Sequence, residues 1–254
     1  MFAIWSDNKL SEEQNRLQYN KVKEYYKKEI LPYKSESFVP HLAVEGGALL
    51  AGDIKTVDTL KADGVQMLTL VWKDVCCIGG GHNTNIGLTP FGKDVVKKMC
   101  EIGIVPDISH ASDKMAYEVF EIADSYGKAV CASHSNLRSI YNHTRNMTDD
   151  MFLSIISLGG LAGVNFYPHH LTDTDTRKAD ITAILRHVEK YLELGGQKNI
   201  CLGCDFDGIE ITPEDITGAD KHYLLCNEMK KIGYSEELIE DIFFNNAHNF
   251  FEKQ

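Results

Sequence analysis

Two apolar runs in this chain finish in the same dipeptide, Val105-Pro-Asp-Ile-Ser-His110 and Ala129-Val-Cys-Ala-Ser-His134. Between them Ser112 to Tyr126 has helical periodicity and is closed by Gly127, so the order is strand, helix, strand. In a parallel sheet this spacing puts His110 and His134 at the carboxyl ends of neighbouring strands, where α/β folds keep their chemistry. Either one alone would read as a hydrogen-bonded capping residue; the matched pair points to a metal. Two further strand ends carry carboxylates. Phe38 to Val44 ends in Glu45-Gly46-Gly47, whose glycines let backbone or ligand approach, and Asn199 to Asp205 runs into Phe206-Asp207-Gly208. Imidazoles with carboxylates suit Zn2+ or a similar divalent ion, and a His2Glu set leaves a position for water. The expected reaction class is metal-assisted hydrolysis, with Asp205 passing the proton from water to a leaving amine. At strand spacing Asp207 would face the same way as Asp205 and support it. The loop after His134 carries Arg138, His143 and Arg145, and an arginine there could grip a substrate carboxylate through two parallel hydrogen bonds.

The elements that must position these residues alternate regularly. Strands are expected near residues 2, 40, 67, 105, 129, 161 and 199. Ser11-Glu-Glu-Gln14 forms a capping box for a helix to about Leu31, with Leu17, Val22, Tyr25 and Ile30 among its apolar positions. Thr89-Pro90 opens a helix ending near Gly103, Thr148 one ending at Gly159-Gly160, and Asp180 to Leu194 is strongly amphipathic. Ser235 caps the last segment, Leu238 to Phe251. Met67 to Trp72 is apolar throughout, as a strand buried on both faces must be. The Gly79-Gly-Gly81 triplet lacks the spacing of a phosphate loop.

At 254 residues the chain has the size of a (β/α)8 barrel and reads as one domain, residues 1–254. A net charge of −11 repels phosphate backbones and anionic lipid surfaces, which excludes nucleic acid and membrane as expected partners. The apolar run Met1 to Trp5 is too short for a signal peptide or a span, so a soluble cytoplasmic protein is expected. Seven cysteines without disulfide-scaffold density read as reduced thiols. Cys76-Cys77 and Cys201-Leu-Gly-Cys204 are thiolate-site candidates, the second disfavoured because strand spacing turns its sulfurs to opposite faces. Pro168-His-His170 is a further candidate metal pair.

Val44-Glu-Gly-Gly47, Gly87-Leu-Thr-Pro-Phe-Gly92, Asp107-Ile-Ser-His110, Ala132-Ser-His-Ser135, Arg145-Asn146, Asn165-Phe-Tyr167 and Asp205-Phe-Asp-Gly208 resemble, in order and spacing, the motifs of the renal or membrane dipeptidases, peptidase family M19. These are zinc hydrolases of (β/α)8 TIM-barrel type. The resemblance implies that Glu45 bridges two zincs, that His110 and His134 complete the second zinc's shell and that Asp205 is the acid/base. It also implies that Arg145 holds the C-terminal carboxylate of a dipeptide and that Tyr167 lines the pocket. Trp72 stands where some members carry a His. The family's first strand, with a His-x-Asp pair for the other zinc, has no counterpart upstream of Glu45, so a seven-stranded barrel lacking that strand is expected. One firmly bound Zn2+, a weak second site and a homodimer that covers the open sheet edges follow from that reading. A working dipeptidase, a metal-binding but silent relative and a fragment of a longer enzyme all remain open.

Overall fold

Six helices begin at a side chain that accepts a backbone hydrogen bond. Ser11 accepts from the N–H of Gln14, Thr89 from Gly92, Ser112 from Met115, Thr148 from Met151, Asp180 from Ala183 and Ser235 from Leu238. Each such cap is worth about 1 kcal/mol, and Ser11 with Gln14 completes the expected capping box. In this computed structural model, which describes residues 1–172 and 179–253, the caps fix where strands give way to helices.

The strands are β1 (Phe2–Trp5), β2 (Leu42–Glu45), β3 (Val65–Thr69), β4 (Val105–Asp107), β5 (Cys131–Ala132), β6 (Leu161–Val164) and β7 (Ile200–Leu202). They follow one another in the sheet in chain order, and every registered pair is parallel. The helices are α1 (Glu12–Tyr25), α2 (Lys55–Ala62), α3 (Pro90–Ile102), α4 (Asp113–Ser125), α5 (Asp149–Ser157), α6 (Pro168–Leu171), α7 (Ile181–Glu193), α8 (His222–Lys231), α9 (Glu236–Glu240) and α10 (Asn246–Glu252). The seven-stranded α/β class read from the sequence is the observed one. No described helix is long and apolar enough to cross a membrane.

The chain divides into two compact units, Met1–Cys131 and Ala132–Lys253. In the first, one register row joins Trp5, Glu45, Thr69, Asp107 and Cys131 across five strands. Met67, Leu68, Thr69, Leu70 and Val71 are all buried, as a strand covered on both faces requires. In the second, the Ser135 N–H donates to the Gly163 carbonyl and β6 pairs with β7 through Ala162, Gly163 and Val164. The face of α7 built from Ile181, Ile184, Leu185, Val188 and Tyr191 is buried there.

Three expectations are corrected. Helix α1 does not bury Leu17 or Tyr25, which are 70% and 55% exposed. It is held instead by polar contacts: Asn15 bonds both backbone groups of Asp7, and Tyr19 and Lys23 each donate to Asp63 at 2.8 Å. Burial alone would raise the Asp63 carboxyl, but those two bonds outweigh it and hold the group below its ordinary value. A π turn at Tyr26–Ile30 then shifts the helical phase, so that Tyr26 is the buried ring, its hydroxyl on the Pro40 carbonyl. The second strand starts at Leu42 rather than Phe38, because Ser35 and Phe38 close a tight turn before it. The last helix is broken by a second π turn at Asp241–Asn245, where Asp241 takes the Lys198 ammonium.

Inside the second unit His187 is fully buried. Its Nδ1 accepts the Leu137 N–H at 3.2 Å and its Nε2 lies 3.1 Å from the Leu171 carbonyl, a pattern that one neutral tautomer satisfies. Burial holds its pKa down at about 4, against an ordinary value of 6.5. Between those values the unfolded chain binds a proton that the folded chain refuses. The contribution is therefore whole above pH 6.5 and lost as pH falls toward 4, about 3 kcal/mol in all. Urea unfolding at both ends of that window should show this loss in the wild type and a flatter slope in His187→Gln. Parallel slopes would refute the assignment.

Candidate metal centre and substrate pocket

In the first unit, Glu45 is the last residue of β2 and the chain turns at once. Gly46 has φ +98, donates its N–H to the Thr69 carbonyl and accepts the Ser6 hydroxyl at 2.5 Å. A Cβ at Gly46 would lie 2.6 Å from the Ser6 carbonyl oxygen, so the turn that ends β2 needs glycine on two counts. His110 stands beyond β4 in the same unit, with Nε2 3.1 Å from Glu45 Oε1 and both side chains 15% exposed. It sits at φ +69, a left-handed conformation that costs a non-glycine residue about 1 kcal/mol or more.

The turn is held by Asp107. This fully buried carboxylate accepts the Thr69 hydroxyl at 2.5 Å and the Ser109 N–H at 2.9 Å, while the His82 N–H donates to the His110 carbonyl at 2.7 Å. Trp5 and Trp72 meet edge to face at 5.0 Å, beside Glu45 in the register row. Trp72 thus serves as an aromatic neighbour of β1, a role that sequence spacing does not reveal.

In the second unit, His134 is 8% exposed and its Nδ1 lies 2.7 Å from Ser133 Oγ. A hydroxyl on one ring nitrogen fixes the ring's orientation. The loop behind it is a buried polar net. Arg145, 4% exposed, donates to the His134 carbonyl at 3.0 Å and to Ser135 Oγ at 2.9 Å, and the Tyr191 hydroxyl donates to the Ser135 carbonyl at 2.7 Å. Asn136 and Asn165 exchange two hydrogen bonds at 3.0 Å. Arg138 directs its guanidinium at the Asn146 and Thr144 carbonyls of its own loop.

Tyr167 is half-buried. Its N–H is held by Asn165, its hydroxyl donates to Glu210 at 3.1 Å, and its ring packs on His169 and His170. Burial, and then the bond to Glu210, raises the phenol pKa. His143 lies 5.1 Å from the His170 ring; burial first, and then the Arg145 charge, lowers its pKa. Neither His169 nor His170 belongs to a group of three metal-capable side chains among the described residues.

Asp205 does not continue β7, which ends at Leu202. It lies at φ +61 in a turn closed by the Gly208 N–H on its carbonyl, and a Cβ at Gly208 would collide with its carboxylate. Asp207 is exposed while Asp205 is half-buried, so the strand-spacing argument that paired them on one face fails. Cys204 is likewise off the strand, with its thiol 3.3 Å from His222 Nε2, and the opposite-face argument for Cys201 and Cys204 lapses with it.

Parallel strands in chain order with helices between them match a TIM-barrel-like metallohydrolase fold. The chain belongs to the membrane dipeptidase family, peptidase family M19, whose family model matches residues 17–253. An uncharacterized dipeptidase of Schizosaccharomyces pombe is 28% identical over 213 residues, 81% of this chain and 51% of that protein. A metallopeptidase from Rhodobacter sphaeroides, solved with a phosphinate mimic of the dipeptide L-Ala-D-Ala, is 26% identical. It aligns with TM-score 0.78 over 84% of this chain and 62% of its own. The probable dipeptidase PvdM from Pseudomonas aeruginosa shares the fold at TM-score 0.85 and 15% identity, over 94% of this chain and 79% of that one. The chain therefore spans about half of the yeast relative and less than two thirds of the Rhodobacter enzyme.

Gly46→Ala should cost about 1 to 3 kcal/mol, from positive φ and from the clash with Ser6. Urea unfolding measures it, and an unchanged midpoint would show that the turn has slack.

Proposed function

We propose that this chain is a zinc-dependent dipeptidase that hydrolyses the peptide bond of dipeptides bearing a free C-terminal carboxylate. Glu45, His110 and His134 hold the metal, Asp205 is the acid/base, Arg145 grips the carboxylate and Tyr167 lines the pocket. The observation that carries the reading is the Glu45 carboxylate against the His110 imidazole at 3.1 Å, on strand ends of a chain from a dipeptidase family. With His134, the set offers one carboxylate oxygen and two imidazole nitrogens, donors suited to a catalytic zinc. A divalent ion there would supply Lewis acidity toward the peptide carbonyl and acidify a water.

The chain's own residues do the rest. Asp205, held in its turn by Gly208, takes the proton of the attacking water and returns it to the amine that leaves. Arg145 carries the planar five-donor fork that matches a carboxylate, and its bonds to Ser135 and the His134 carbonyl set where that fork lies. Tyr167, fixed at N–H and hydroxyl, makes a stiff wall beside it. The dipeptide mimic in the Rhodobacter structure supports a substrate of this size.

Metal analysis after dialysis should find about one zinc per chain, lost in His110→Ala and in His134→Ala. Retention in both variants would sink the ligand set. Arg145 also braces His134, so its carboxylate role is best read as a ratio. Wild type should prefer a free dipeptide over its C-terminal amide, and Arg145→Ala should reduce that preference about 30-fold or more, the value of a charged partner worth ~2 kcal/mol. An unchanged ratio would remove Arg145 from the pocket.

A further inference from the structure

Cys76 and Cys77 are adjacent in sequence, both half-buried, and lie in a turn closed by the Cys76 N–H on the Gly79 carbonyl at 3.0 Å. Their sulfurs reach the same piece of backbone. Cys76 Sγ lies 3.6 Å from the Leu70 carbonyl and Cys77 Sγ 3.5 Å from the Gly47 carbonyl, and a Cβ at Gly47 would collide with that same Leu70 oxygen. The Cys76 thiol beside it brings the Cys77 pKa down to about 7, while the Cys76 thiol is pushed far up by its Cys77 neighbour and by burial. By contrast, burial pushes Cys100 up to about 11 and Cys201 up to about 12.

We propose that Cys76 and Cys77 form a dithiol site for trivalent arsenicals, soft electrophiles that bind two thiols at once. With an organic arsenoxide, two As–S bonds form, the arsenic–oxygen bond breaks, and the oxygen leaves as water with the two thiol protons; arsenic stays trivalent throughout. The site borders Gly47, two residues beyond Glu45, so a bound arsenical presses on the turn that ends β2. The chelation itself stands whether or not Glu45 binds a metal.

Phenylarsine oxide added to the reduced full chain should bind at one equivalent. Against the untreated chain, alkylation before digestion should then be lost at Cys76 and Cys77 and unchanged at the other five. Cys76→Ser and Cys77→Ser, each folded by circular dichroism, should bind about 100-fold more weakly or worse, since the second As–S bond is intramolecular. A dithiol should reverse the adduct where equal monothiol does not. Protection of another pair, or undiminished uptake in the folded variants, would overturn the proposal. Should a variant not fold, the protection map on wild type decides alone.

Discussion

The structure depends on strands that stop abruptly. Gly46 after β2, His110 after β4 and Asp205 after β7 all leave their strands through positive φ, at +98°, +69° and +61°. A strand running on would alternate its side chains between faces; a left-handed residue breaks that alternation. For His110 and Asp205 the conformation costs about 1 to 3 kcal/mol each and persists only where neighbours over-determine it. Asp107 with Thr69 and Ser109 does so behind His110, and Gly208 does so around Asp205. Strain and support therefore sit at the residues proposed for chemistry.

Burial is used differently at Arg145. A guanidinium 4% exposed would be costly without acceptors, and the His134 carbonyl and Ser135 hydroxyl provide two. These bonds tie the main chain of His134 to the side chain proposed to hold substrate. Tyr191 donates to the Ser135 carbonyl from the opposite side, so the loop is clamped between two buried donors. Few conformations satisfy such a net, and rigidity in the His134 loop follows from its hydrogen bonds rather than from apolar packing.

The strand count, the caps and the tip residues were legible because each has a local signature: an apolar run, a Ser or Thr three residues before the N–H that donates to it, a matched Ser-His ending. Other features were not, since they depend on partners distant in sequence. Tyr19 and Lys23 meet Asp63 some 40 residues on, and this contact turned α1 so that Leu17 faces solvent. The two π turns shift helical phase without a glycine or proline inside them, although Pro32 follows the first within two residues. Asp205 and Asp207 looked like alternate strand positions because nothing in Gly203-Cys204-Asp205 marks the end of β7 at Leu202.

Asp107 shows how much of a site lies behind the residues that would do its chemistry. It lies in one of the seven motif segments that carry the family resemblance, yet it is fully buried and faces Thr69 and Ser109. A carboxylate is the side chain that can accept from both a hydroxyl and a backbone N–H two residues ahead while taking up no more room than a leucine. Replacing it by an apolar group would strand the Ser109 N–H and free the turn that sets His110 at φ +69. Its place in the Asp-Ile-Ser-His sequence is thus explained by the backbone geometry His110 requires.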